Sequence, residues 1–192
     1  MRHILITRFN VHVPEWRNVD KRGVKTLDAA WLEHRWELFE KYTVPSVLNQ
    51  TVDIEWVVLF APGTVVREGP YVALHVEDWL PDLQAWLPKG WLATTRLDND
   101  DYIAPTFIAT IRRYLREREE FLNIPFGYLL RDDVLIPEKH TANPFMTYVS
   151  CDGLSVYHLP HGKAMSDHAP IIQIPTGRLW TQVIHGRNYH NG

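Results

Sequence analysis

Short apolar runs and amphipathic stretches take turns along residues 3–122. "HILITRFNV" (3–11), "IEWVVLFAP" (54–62) and "WLATTRL" (91–97) are strand-like. The first is rich in Ile and lacks a polar face, the pattern of a parallel strand covered on both sides. Between them, "LDAAWLEHRWELFEKY" (27–42) places Leu27, Trp31, Leu38, Phe39 and Tyr42 on one helical stripe, and Pro45 marks its end. "VPSVLNQT" (44–51) reads as a short second helical turn. Residues 63–90 are loop-rich, with a short helix expected from Asp78 to Leu87. The strongest helical pattern is 104–122, where Ile103, Phe107, Ile108, Ile111, Tyr114 and Leu115 recur every three or four residues. Pro105 suits its first turn, and Asp101 its cap or dipole position. Strand–helix alternation of this kind predicts an α/β fold with a mixed sheet flanked by helices. Beyond Asn123 come shorter strand-like pieces, "GYLLRDDVLIP", "FMTYVS", "LSVYHLP" and "IIQIP", which predict an added C-terminal β region.

At 192 residues the chain suits one domain, 1–192, with no internal repeat and no linker. Most of the eight tryptophans are expected in the core, although such rings also line sugar-binding surfaces. The formal charge of −3, without a basic block, argues against nucleic acid as a partner. A lone cysteine, Cys151, excludes an intrachain disulfide and fits a cytoplasmic location. No apolar stretch approaches the roughly 20 residues of a membrane span, and "MRHILITRFN" turns polar too early for a signal peptide.

The chemistry concentrates in "TRLDNDDYIAP", where Asp98, Asp100 and Asp101 follow a late strand directly. Ligands of open α/β sheets bind beyond the carboxyl ends of the strands. Carboxylates there suit a hard cation, Mn2+ or Mg2+, which completes its shell with ligand phosphates. A solvated turn with a helix cap accounts for the same residues. The spacing of an EF-hand is absent, and so is the Cys and His spacing of a zinc site.

Three segments in order carry a family resemblance: "TRFN" (Thr7 to Asn10), "TRLDNDD" (Thr95 to Asp101) and "WTQVIHGRN" (Trp180 to Asn188). Ser46, Leu48, Gln50 and Thr51 match the helix end that precedes the second strand in family 2 glycosyltransferases of the GT-A fold. All three segments together resemble the bacterial rhamnosyltransferase-like family. The resemblance implies a nucleotide-sugar donor and a glycan or other hydroxyl acceptor. It implies a donor-binding half at 1–122 and an acceptor-side half at 123–192. Thr7, Arg8, Asn10, Gln50 and Arg96 would contact the donor, with Asp98 on the ribose or the metal. Asp100 would ligate the metal, Asp101 would cap the helix or stand behind the ligands, and His185 would complete the metal site. An acidic pair usual after the second strand is replaced here by Leu59, Phe60, Ala61 and Pro62, so the nucleobase is not fixed.

The arginine fork matches a phosphate, which favours Arg8 and Arg96; Arg96 can equally pair with the aspartates. His161 is a weaker second candidate beside His185. An inverting transfer needs a base for the acceptor hydroxyl. Asp132, Asp133, Asp152 and Asp167 are the candidates, and the first three also suit turns. The same aspartates would serve a metal-dependent nucleotidyl- or phosphotransferase, or a module that binds nucleotide or glycan without turnover.

Overall fold

The computed structural model describes residues 1–13, 28–159 and 163–185. Its centre is a seven-stranded sheet. Strands β1 (Arg2–Arg8), β2 (Glu55–Phe60), β3 (Val72–His75) and β4 (Leu92–Arg96) run parallel, with β1 between β2 and β4. β9 (Thr147–Ser150) runs antiparallel to β4, β6 (Glu120–Asn123) antiparallel to β9, and β10 (Ile171–Gln173) parallel to β6. The resulting order is β10-β6-β9-β4-β1-β2-β3.

The central strands are buried on both faces, as their unbroken apolar character predicts. Ile4, Ile6, Val57 and Leu59 face one core, which α3 (Trp79–Trp86) and α5 (Lys163–His168) close with Trp79, Leu83 and Met165. Leu5, Trp56 and Val58 face the other core. Trp36 of α1 (Ala29–Leu38), Val47 of α2 (Val44–Leu48) and Phe107, Ile108 and Ile111 of α4 (Phe107–Arg112) cover it. A second sheet, β5-β11-β7-β8, packs at the edge of this layer; it comprises β5 (Tyr102–Ile103), β7 (Phe126–Arg131), β8 (Val134–Lys139) and β11 (Trp180–Ile184).

Three departures from the sequence pattern have physical causes. Pro45 does not end the first helix. A π-helical turn, Phe39–Thr43, joins α1 to α2, and Pro45 sits in the first turn of α2. Proline has no N–H to donate, and the wider turn ahead of it opens the ladder where that bond is missing. The long helix expected at 104–122 stops at Arg112, because the buried stripe ends with Ile111 and the following charged residues face water. Glu120–Asn123 is instead drawn into the main sheet between β9 and β10, where all four residues are buried. Tertiary pairing there overrides helix propensity. β9 and β10, from beyond residue 122, complete the main sheet.

Candidate functional site

The carboxyl ends of β1, β2 and β4 lie side by side, and polar ties join the loops that leave them. Asn10 accepts the Ala61 N–H through Oδ1 (3.0 Å) and donates to Thr64 Oγ1 (2.9 Å). Asn99 donates to the Phe9 carbonyl (2.7 Å), and the Leu97 N–H reaches the Ile6 carbonyl (3.1 Å). The aspartate turn is thereby fixed against the loop after β1.

Each aspartate has a different environment. Arg96 donates to both oxygens of Asp98, Nε to Oδ1 at 3.1 Å and Nη2 to Oδ2 at 2.7 Å. Burial works against the Asp98 charge, but Arg96 outweighs it and the pKa falls below the ordinary value. Asp100 Oδ2 accepts from Arg35 Nη1 at 2.6 Å and from His185 Nε2 at 2.9 Å. Against the cost of burial, these two partners hold its pKa at about 2. Asp101 accepts the Val183 N–H of β11 at 2.8 Å. Burial, then the charges of Asp100 and Asp98, push its pKa well above the carboxylate range. Asp101 does not cap α4, whose cap position is Thr106. It joins the turn to the second sheet.

Cations and aromatic rings form the floor. The Arg8 guanidinium lies 4.5 Å from the Tyr157 ring and 5.1 Å from that of Trp79. Burial and then Arg96 lower its pKa. Arg96 also faces Tyr157, at 5.3 Å.

The other expected residues fall into three groups. Thr7 is fully buried and accepts the Trp56 indole N–H (3.0 Å), so it faces the core and not the crevice. Gln50 donates to the Ser46 and Ala104 carbonyls (both 2.9 Å) and accepts the Ile108 N–H (3.1 Å), bracing α2 against α4. Asp132 and Asp133 form the exposed β7–β8 turn, with φ of 48° and 59°. Arg131 pairs in register with Ile184, which sets this hairpin beside the end of β11 that carries His185. Asp152 lies elsewhere. It follows β9, whose Ser150 pairs with Leu92 at the start of β4, so it sits at the opposite end of that strand from the aspartate turn. His161 and residues 186–188 fall outside the described residues.

Among the described residues, the one group of three or more candidate ligand atoms within 4.8 Å of one another is Glu119, Cys151 and Asp152, at the far end of β4. Asp98, Asp100, Asp101 and His185 form no such group. Arg96 engages both oxygens of Asp98 and Arg35 one oxygen of Asp100, and a His185 Nε2 that donates to Asp100 has no lone pair to offer. A divalent cation would need only one of these carboxylate oxygens. Asp100 Oδ1 has no hydrogen bond among the described residues. One carboxylate with phosphates and waters is an ordinary shell for Mg2+.

Arg35 and Asn99 were not expected. Arg35 follows Trp31 by one helical turn on the buried stripe of α1, and its guanidinium lies 4.9 Å from that ring. A lone arginine on an apolar stripe was the available signal.

Comparison with known proteins bears on this arrangement. The family model described as "Putative rhamnosyl transferase" matches residues 2–64. No curated protein matches the chain. Among solved structures, S. aureus TarS (residues 1–349, in complex with UDP-GlcNAc) superposes with a TM-score of 0.54 at 11% identity, over 98% of this chain. The chain spans 60% of the TarS chain. At that identity the likeness establishes the fold, a GT-A-like mixed α/β sheet flanked by helices.

Proposed function

We propose that the chain is a glycosyltransferase that moves a sugar from a nucleoside-diphosphate donor to a hydroxyl acceptor. The observation that carries the reading is the aspartate turn. It projects from the carboxyl end of β4 beside the ends of β1 and β2, with three arginines in attendance. That is where open α/β sheets bind ligands. The family match over 2–64, and a fold shared with a protein crystallised with UDP-GlcNAc, support the same reading.

In this proposal the donor lies across the ends of β1 and β4, with its diphosphate at the turn. Asp100 would hold Mn2+ or Mg2+ through Oδ1, and the cation would supply countercharge to the leaving diphosphate. The chain's own residues set the rest. Arg96 holds the Asp98 carboxylate in one orientation toward the ribose side. Arg8, lifted on the Tyr157 and Trp79 rings, adds positive charge to the floor. The acceptor oxygen attacks the anomeric carbon, the bond to the diphosphate breaks, and the configuration inverts. Asp132 or Asp133, in the turn beside the end of β11, would take the hydroxyl proton.

A thermal-shift panel tests the class. Nucleotide sugars with Mn2+ should raise Tm, by roughly 2.7 kcal/mol of stability at a hundredfold excess over Kd. Free nucleoside triphosphates should do less; the reverse order would favour a nucleotidyl- or phosphotransferase. Asp100→Asn, which keeps the shape, should lose the Mn2+ dependence and donor turnover. Undiminished metal-dependent turnover in that variant rules out Asp100 as the cation's anchor.

A further inference from the structure

Arg35 crosses from α1 to the aspartate turn, and its surroundings fix it there. The residue is 7% exposed. Its guanidinium lies 4.9 Å from the Trp31 ring on its own helix. Nη1 donates both to Asp100 Oδ2 (2.6 Å) and to Asn99 Oδ1 (3.2 Å). Asn99 is itself oriented, because its amide nitrogen donates to the Phe9 carbonyl at 2.7 Å. His185 adds a second donor to the same oxygen of Asp100, and its ring meets His34 of α1 edge-on at 5.5 Å. The carboxylate assigned to the cation therefore already has a cation of its own. The other two aspartates differ, for Asp98 is bound by its near neighbour Arg96 and Asp101 accepts the Val183 N–H of the second sheet.

We propose that Arg35 is a positioning residue that acts as the resident counter-cation of Asp100, holding that carboxylate in the cation's stead and opposing metal entry until a diphosphate arrives. The inference rests on the reading of Asp100 as the cation's anchor and adds a role for α1. Its physics is charge balance. A divalent ion on Oδ1 sits close to a guanidinium fixed on Oδ2, and two cations on one partly buried carboxylate repel each other. The diphosphate supplies the negative charge that makes both tolerable. Metal and donor affinities are then coupled, and Arg35 sets part of the coupling. A plain structural brace between α1 and the turn would stabilise the fold without this linkage.

The test titrates Mn2+ alone, then Mn2+ with UDP, into wild type, Arg35→Gln and Arg35→Lys, read by calorimetry and by Tm. Wild type should bind Mn2+ alone weakly, and UDP should tighten it. Arg35→Gln should bind Mn2+ alone about tenfold more tightly, within the usual range of site–site coupling. Its lowered Tm should recover on adding Mn2+, because one cation replaces the other. Arg35→Lys, which keeps the charge, should behave as wild type. If Mn2+ alone binds Arg35→Gln no better than wild type and leaves its Tm low, Arg35 is only a brace and the proposal falls. Should Arg35→Gln not fold, Asn99→Ala, which frees one anchor of the guanidinium, takes its place. Tighter binding of Mn2+ alone there supports the exchange, and unchanged binding overturns it. A wild type that ignores UDP with Mn2+ refutes the donor reading instead, while the metal-alone comparison still decides the role of Arg35.

Discussion

Asp101 shows how one carboxylate in a cluster can serve a structural purpose. It is 2% exposed, has Asp98 and Asp100 as neighbours, and accepts the Val183 N–H from the second sheet. Burial first, then the two negative neighbours, raise its pKa well above the usual value. A group whose pKa is raised on folding contributes most below its unfolded pKa, and that stability drains away as pH rises toward the folded value. Asp101→Asn should remove the drain and keep the bond, since the amide oxygen can accept from Val183. The variant should be more stable than wild type at pH 7.5, and the gap should narrow toward pH 4. Urea melts at several pH values check this. A gap that stays constant with pH means that Asp101 is ionised in the folded protein.

At the scale of elements, the second sheet is keyed to the first by one aromatic ring. Trp180 of β11 donates its indole N–H to the Ile124 carbonyl (2.7 Å) and stacks on Phe145 at 5.0 Å between ring centres. Its ring crosses β7 where Gly127 has no side chain, and a Cβ there would stand 2.0 Å from the ring. Gly127→Ala should therefore push Trp180 aside at a cost of about 1–3 kcal/mol. Because β11 carries Val183 and leads directly into His185, the change should loosen the bonds to Asp101 and Asp100. Tryptophan fluorescence and Tm should move together; a Tm within 1 °C of wild type excludes close packing at this point. None of this was visible in "GYLLRDD", since the partner ring lies far along the chain. The same limit separates what the sequence disclosed from what it concealed. β1, β2 and β4 could be read because burial on both faces leaves an unbroken apolar run. The aspartate turn could be placed because it follows such a run. Residues 120–122 read as helix because their strand state depends on β9 and β10, which arrive later. Arg35 was passed over because its partners, Asn99 and Asp100, are on another element.

For the molecule as a whole, the acid limit of stability is set away from the candidate site. His3 lies at the start of β1, 4% exposed, with Nε2 at 2.6 Å from Thr95 Oγ1. Thr95 in turn is 2.5 Å from Thr147 Oγ1, so the chain of contacts ties β1, β4 and β9 across the middle of the sheet. Burial, with a smaller push from the Arg112 charge, lowers the His3 pKa to about 3. The unfolded chain takes up this proton near pH 6.5 and the folded one does not. Stability is therefore lost as pH falls from about 6.5 toward 3, at up to roughly 1.4 kcal/mol per unit. His158, whose pKa burial also lowers, adds a slope of the same sign. Asp100, held at about 2, contributes only below the ordinary carboxylate range. Asp101 works in the opposite direction, so the decline is shallower than the histidines alone would make it. His3→Gln keeps a group able to bond Thr95 and cannot be protonated. It should be less stable than wild type at pH 7.5 through imperfect packing, yet lose less stability between pH 6.5 and 4.5. Urea midpoints at four pH values across that range measure the difference. If both proteins decline in parallel, His3 is not the proton sink, and the acid limit lies with the carboxylates.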